Sequence, residues 1–265
     1  MTRFDDTTEL RPIPGSDAGG PWRFEIDLDP SWESLIGIHG GYMAAISARA
    51  VGLVAEGRAV RTVTTSFLRP GRVGPAEVVV DVVRTGRSLS TFAVTLSQEG
   101  RSLVTSRITA IVAVDGERWE TPSPVDIADR ADCVPLVPPE GVRHFGQATA
   151  VLDPAYTPFS HGPVARVAGH VRPLEPRPVD AAWLVMILDW FPPSPFTRND
   201  PPTGGVSIDY TVHVHRTLDA LPEDDWLTGV FHADQSTDGL ALEHGTLRDA
   251  DGRVLAESFH TRWTG

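Results

Sequence analysis

From Ala181 to Leu188 the chain carries no polar side chain. Asp180, just ahead of the run, can accept a backbone N–H of a first helical turn, so the segment reads as a capped helix. A helix that is apolar all round has to be enclosed on every side. Asp189 closes the apolar run, and Pro192 and Pro193 stop the helix. That carboxylate is awkwardly placed, because apolar surroundings disfavour its charge and a helix C-terminus repels it. It is either bonded to a donor, such as the loop at Pro192–Ser194, or kept for chemistry.

Residues 1–21 are polar, rich in Gly and Pro, and read as an arm. Trp22–Leu28 alternates apolar and polar residues, the pattern of a half-buried strand. Met43–Ala55, rich in small apolar residues, reads as a second buried helix with Gly40 and Gly41 at its entrance. Four strand-like runs follow, Val60–Arg69, Ala76–Arg84, Ser90–Gln98 and Ser102–Val114, parted by turn signals at Pro70-Gly71, Gly86 and Glu99-Gly100. From Trp119 to His161 prolines recur and no period persists, as in a linker crossing a surface. The plan then returns: Val164–Val171, the Asp180 helix, and strands at Gly205–Arg216, Trp226–Ala233, Leu240–Arg248 and Arg253–Trp263. The expectation is an α+β chain with an N-terminal unit at 1–118, a linker at 119–161 and a C-terminal unit at 162–265. A long antiparallel sheet with an apolar helix on one face is a stable unit, and two joined edge to edge hide two open edges.

A formal charge of −12 and a pI near 5.1 argue against nucleic acid or an anionic membrane as partner. They also mean that an anionic substrate needs a local basic patch. Arg69, Arg72, Arg84 and Arg87 sit near strand ends and are the candidates. Cys133 is the sole cysteine, which rules out an intramolecular disulfide and fits a reducing cytosol. The N-terminal stretch lacks the apolar region of a signal peptide, and no run is long enough to span a bilayer, so a cytoplasmic location is expected. There is no Gly-x-Gly-x-x-Gly fingerprint and no P-loop. His213 and His215 have the spacing of a metal-binding pair, but no cysteine or carboxylate cluster completes a site, so no metal is expected.

In the first half the words His39-Gly40-Gly41-Tyr42, Thr65-Ser66-Phe67-Leu68-Arg69-Pro70 and Arg84-Thr85-Gly86-Arg87-Ser88 stand in order. In the second half stand Leu188-Asp189-Trp190, Ser207-Ile208-Asp209, Asp238-Gly239-Leu240 and the turn and strand from Asp251 to Glu257. In their order and spacing these words resemble the type II acyl-CoA thioesterase family, a tandem or double hotdog fold in which two buried helices are each wrapped by a long antiparallel sheet. The resemblance spans most of residues 20–265 and weakens across the linker. It implies hydrolysis of fatty acyl-CoA to free acid and CoA by a bound water, with no covalent intermediate and no cofactor beyond the CoA of the substrate. One chain holds two units, and pairing of double units into a homodimer or higher homo-oligomer is common in such families.

The family holds its water with an Asp on the second helix, a Thr opening the next strand and a Gln on the last strand. These positions fall on Asp189, Ser207 and His260; Ser207 keeps a hydroxyl, and His260 is a departure. Asp189, its pKa raised by burial, would take the proton from water. Ser207 opens an alternating strand in which Val206, Ile208, Tyr210, Val212 and Val214 face one way and Ser207, Asp209, Thr211, His213 and His215 the other. The His39–Tyr42 helix entrance offers free N–H groups and a positive dipole end for the thioester oxyanion. Trp183, Met186, Trp190 and Phe191 are candidates to line an acyl channel. Two other functions fit such a fold, a non-catalytic acyl-CoA or lipid binder and an enoyl-CoA hydratase-type lyase. The lyase class places an Asp and a His together, and the sequence near Asp189 and His39 holds no such pair.

Overall fold

The computed structural model describes residues 2–15, 20–117, 119–120, 125–198, 204–222 and 225–265. Residues 1 and 16–19 of the expected arm, 118 at the expected boundary, 121–124 of the expected linker and 199–203 of the loop after the Asp180 helix lie outside them. In chain order the elements are α1 (Arg3–Thr7), β1 (Arg11–Pro12), β2 (Trp22–Leu28), α2 (Gly40–Val54), β3 (Ala59–Phe67), β4 (Gly74–Thr85), β5 (Leu89–Gln98) and β6 (Arg101–Ile111). Then come β7 (Val134–Pro135), β8 (Ala148–Leu152), β9 (Ala165–Pro173), α3 (Ala181–Trp190), β10 (Val206–Val214), β11 (Leu227–Thr237), β12 (Leu240–Arg248) and β13 (Val254–Trp263).

Among the described residues all the strands join one sheet in the order β1-β2-β4-β5-β6-β3-β10-β13-β12-β11-β9-β8-β7. Read inward from either side, β2-β4-β5-β6-β3 and β9-β11-β12-β13-β10 trace the same path, so the halves are copies meeting at β3 and β10. These two strands pair antiparallel, Tyr210 opposite Thr65 and Thr211 opposite Thr64. The junction gives each half a neighbour where it would otherwise expose an edge. This is the double hotdog architecture.

The helices α2 and α3 fill the space the sheet encloses. Asp180 caps α3 by accepting from the Trp183 N–H at 2.8 Å. Trp183 to Leu188 are each 1% exposed or less, and at roughly 1.5–3 kcal/mol per large apolar side chain this helix is a main source of stability. The helices run antiparallel: Gly41 at the start of α2 meets Asp189 at the end of α3, and Arg49 further along α2 lies 3.9 Å from Asp180. Small residues allow the crossing. A Cβ on Gly41 would stand 2.8 Å from the Met186 carbonyl oxygen and 2.7 Å from Asp189 Cβ.

Two expectations need correction. The segment expected as an arm forms α1, which has a capping box between Thr2 and Asp5, and β1, which pairs with β2. Phe4 is buried against Trp32, and Asp5 pairs with Arg49 at 2.8 Å and Arg177 at 3.3 Å. α1 thus covers the N-terminal end of α3, the counterpart of the end where Gly41 meets Asp189. The segment expected as a surface linker adds β7 and β8 to the sheet beyond β9 and sends a short turn, His144–Gln147, inward. Ala148-Thr149-Ala150-Val151-Leu152 does alternate, but with alanines on the buried side, too small to give a strong period.

Candidate active site

The site lies where α2 begins and α3 ends. His39 caps α2, its Nδ1 accepting the Tyr42 N–H at 3.3 Å. In a neutral ring the proton then sits on Nε2, which faces the Asp189 carbonyl oxygen at 3.1 Å and its Oδ2 at 3.5 Å. One residue thus satisfies an orphan donor of one helix and an orphan acceptor of the other. Gly41 N–H donates to Asp189 Oδ2 at 2.6 Å. Met43 N–H bonds within the turn to the His39 carbonyl at 3.2 Å. Among the described residues this leaves the Gly40 N–H as the unoccupied donor of the entrance, so Gly41 and Tyr42, expected to offer theirs as well, do not.

The other carboxylate oxygen meets the C-terminal half of the sheet. Ser207 Oγ donates to Asp189 Oδ1 at 3.5 Å, Arg262 Nη2 lies 3.5 Å from it and His260 Nε2 3.3 Å. Arg262 Nη1 donates to Ser207 Oγ at 3.2 Å, which turns the hydroxyl proton toward Asp189. Register explains the grouping: Ser207 pairs with Arg262, and Tyr210, His260 and Glu243 form one row across β10, β13 and β12. Tyr210 stacks on the His260 ring with centroids 4.0 Å apart, and Glu243 Oε1 accepts from Arg262 Nε at 2.7 Å. Glu243 Oε2 accepts the Ser194 N–H at 2.5 Å.

The expected facing of Ser207 is wrong. The pairing of β10 with β13 shifts between Ser207 and Asp209, a β-bulge that leaves Ile208 extra. Past a bulge the alternation inverts. Val206 and Ile208 are therefore exposed, while Ser207 joins buried Tyr210 and Val212 on the inner face.

Asp189 is 7% exposed. Burial alone would raise its pKa, but the Nε2–H dipoles of His260 and His39 that face it, the Arg262 guanidinium and the Gly41 N–H reverse this and hold its carboxyl below the usual carboxylate range. The expectation of a raised value is thus overturned. The magnitudes show why Arg262 is needed: desolvating a carboxylate costs several kcal/mol, and a helix N-terminus returns at most about 2 kcal/mol. Burial pushes His39 and His260 below the ordinary histidine value, so both rings are neutral at neutral pH. Burial likewise raises Glu243, but Arg262 and its hydrogen bonds hold its carboxyl down at about 2.

His144, Glu243 and Arg262 escaped the sequence reading. The His144 ring stacks on His39 with centroids 4.3 Å apart, and its carbonyl accepts Trp190 Nε1–H at 2.7 Å. Sequence did carry a signal for the other two. Along β12 and β13 the exposed residues include Leu240, Leu242, Phe259 and Trp263, while Glu243, Ser258, His260 and Arg262 are buried. A strand whose polar set faces inward marks a built polar site.

Other expected residues fall elsewhere. Trp183, Met186, Trp190 and Phe191 are each 2% exposed or less and belong to the closed core, not to an open channel wall. The four arginines do not form one patch. Arg69 and Arg72 lie at the Phe67 end of the first-half strands, near Gly40, and Arg69 Nη1 donates to the Ser102 carbonyl at 2.9 Å. Arg84 and Arg87 lie at the opposite end, beside the Ala59–Ile111 pair, about 25 Å away at roughly 3.3 Å per strand residue. His213 packs edge-on to Phe259, and His215 pairs with Glu257 at 2.9 Å. The absence of an Asp–His pair held in sequence but fails in space, because His39 and His260 both flank Asp189. No helix among the described residues is long and apolar enough to cross a membrane.

Comparison with solved structures supports the fold. A conserved protein of unknown function with hot dog fold from Alicyclobacillus acidocaldarius superposes with a TM-score of 0.86 at 21% identity, over 100% of this chain and 98% of that one. The tesB protein of Mycobacterium avium subspecies paratuberculosis gives 0.80 at 22% identity, over 99% and 98%. The acyl-CoA thioesterase II TesB2 of Mycobacterium marinum gives 0.76 at 18%, over 99% and 98%. Comparison with curated proteins yields no match. Family models match the two halves separately, the acyl-CoA thioesterase N-terminal domain over residues 28–113 and the acyl-CoA thioesterase C-terminal domain over residues 129–263. With both halves matched around one carboxylate seated on a helix N-terminus, the chain belongs to the acyl-CoA thioesterase family and is a thioester hydrolase.

Proposed function

We propose that the chain hydrolyses acyl-CoA by direct attack of a water activated by Asp189. The observation that carries this reading is the pair of donors on either side of one buried carboxylate: Gly41 N–H at 2.6 Å on Oδ2, and the Ser207 hydroxyl at 3.5 Å on Oδ1. The carboxylate is ionised and oriented before substrate arrives, as a general base must be. Gly40, Ser207 and Phe67, whose ring stands beside Gly40, are half-buried and mark the side from which a thioester approaches. In the reaction the water oxygen bonds to the thioester carbon while its proton passes to Asp189. The free Gly40 N–H, at the positive end of α2, receives the developing oxyanion. Collapse breaks the C–S bond, and the proton on Asp189 leaves with the CoA thiolate. Arg69 and Arg72, exposed at this end of the sheet, are suited to the CoA phosphates.

A lyase reading draws on the nearness of His39 and His260 to Asp189. In each ring, however, the lone pair is already engaged, Nδ1 of His39 by the Tyr42 N–H and Nδ1 of His260 by Arg262 Nη2, and Nε2 carries the proton, so neither is poised as a base. Thiol release from an acyl-CoA panel tests the reading, because a lyase would hydrate an enoyl-CoA and release no thiol. A single turnover in 18O-water separates water attack from attack by Asp189 itself. Direct attack puts the label in the fatty acid alone, whereas an Asp189 anhydride opened at its Asp189 carbonyl would put it into the Asp189 carboxylate.

A further inference from the structure

His260 is a histidine with two nitrogens in unlike surroundings. It is fully buried, and so are Glu243 at 1% and Arg262 at 3% exposure. Arg262 Nη2 lies 3.1 Å from His260 Nδ1. A guanidinium can only donate, so Nδ1 has to present its lone pair. Arg262 is itself fixed, because Glu243 Oε1 holds both Nε and Nη2 at 2.7 Å, and Glu243 is in turn held by the Ser194 N–H. With Nδ1 accepting, the single proton of the neutral ring sits on Nε2. That nitrogen lies 3.3 Å from Asp189 Oδ1, yet it makes no hydrogen bond to any described group of the protein. It is a buried donor beside the catalytic carboxylate with its hydrogen unspent, which costs free energy unless the site supplies an acceptor during its work.

We propose that Arg262, braced by Glu243, pins His260 as its Nε2–H tautomer, so that His260 serves as a hydrogen-bond donor to the attacking water or reacting carbonyl oxygen and not as a base. This rests on the thioesterase reading above. Arg262 and Glu243 are then positioning residues that act through His260. The groups facing the ring are Asp189 on α3, Arg262 on β13, Glu243 on β12 and Tyr210 on β10, which stacks on it and gives its own hydroxyl proton to the Val185 carbonyl at 2.7 Å. Glu243 Oε1 lies 3.7 Å from Nδ1, beyond hydrogen-bond reach, and is spent on Arg262, the nearer neighbour of Nδ1 at 3.1 Å. His39, at the head of α2, reaches the other oxygen of Asp189 and not the His260 ring. Burial and the Arg262 charge keep the ring from taking a second proton.

Two-bond 1H–15N spectra of the whole protein labelled with 15N-histidine test the tautomer directly. His260 is assigned by its disappearance in His260→Gln. The expected result is a bare Nδ1 and a protonated Nε2, unchanged between about pH 5 and 8, where an ordinary histidine titrates. A proton on Nδ1, or an imidazolium at neutral pH, would overturn the proposal. The donor role is read from thiol release. His260→Gln keeps an N–H and should hold kcat within about tenfold, whereas His260→Ala should lose about 100-fold or more. Arg262→Met should lower kcat more than it alters KM. Adding Glu243→Gln, whose amide can donate to Nδ1, should restore part of the loss, a rescue that a merely structural arginine would not show. Equal losses in His260→Gln and His260→Ala would sink the donor role. The spectra need no substrate, so a chain that released no thiol would count against the thioesterase reading and leave the tautomer decided on its own.

Discussion

The amide of Gly41 donates to the carboxylate of Asp189 at 2.6 Å, so the first turn of one central helix carries the charge that ends the other. Neither helix end would be comfortable alone. α2 offers unpaired N–H groups, and α3 offers a carboxylate at its negative end. Set antiparallel and in contact, each end supplies what the other lacks.

That relationship depends on the absence of a side chain. A Cβ at position 41 would meet backbone at 2.8 Å on Met186, which cannot swing aside. Gly41→Ala should therefore lower stability by about 1–3 kcal/mol through overpacking, and should lower kcat by more than the stability loss accounts for. Urea unfolding and thiol release, measured on the same preparation, check the two effects.

Ser207 reaches the site only because Ile208 is an extra residue in its strand. Ser207→Ala removes a hydroxyl poised between Arg262 and Asp189 and should cost about tenfold or more in kcat, the worth of a hydrogen bond to a charged group. Ser207→Thr, which keeps the hydroxyl, should stay close to the parent chain. Steady-state rates of the two variants side by side decide this.

Glu243 gives a pH dependence whose sign can be worked out. Its carboxyl is held down at about 2 in the folded chain and returns to about 4.3 when unfolded. A group lowered on folding contributes stability above its unfolded value and loses it as pH falls toward the folded one. Stability should thus decline with acid from about pH 4.5 down to 2. Glu243→Gln should be less stable at neutral pH, with a shallower acid slope. Urea midpoints at a series of pH values measure both.

His144 is held neutral down to about 2 by burial and by its neighbour His39. It contributes a flat ring and a carbonyl, not a charge. His144→Phe should retain most activity, since the stack on His39 and the backbone bond to Trp190 survive. His144→Ala should cost roughly 2–4 kcal/mol of stability through the cavity it leaves and should loosen His39. Thermal melts and kcat separate the two variants.

Much of this fold is legible in the order of the residues alone. The apolar run Ala181–Leu188 requires enclosure, and the recurrence of strand, helix and four strands supplies two enclosing sheets. The words around His39 and Asp189 locate both ends of the helix crossing. What is illegible depends on register. In sequence Ser207 reads as facing away, because a one-residue bulge has no signature in an alternating strand. Glu243 and Arg262 read as ordinary charges, since pattern reading assigns the apolar set of a strand to the inside. The pKa of Asp189 is misjudged from sequence for the same reason, because its burial is visible there and its partners are not. His144 lies in a stretch of prolines with no period, where only tertiary contact reveals that the turn points inward.

The most direct measurement is thiol release by Asp189→Asn beside the parent chain, with acyl-CoA binding followed by calorimetry. Asn keeps an oxygen for the Gly41 N–H but cannot take a proton from water. The prediction is a fall in kcat of about 100-fold to 10,000-fold with acyl-CoA still bound at close to the parent affinity. Turnover that survives the substitution would remove Asp189 from the chemistry and contradict its role as the base that activates water.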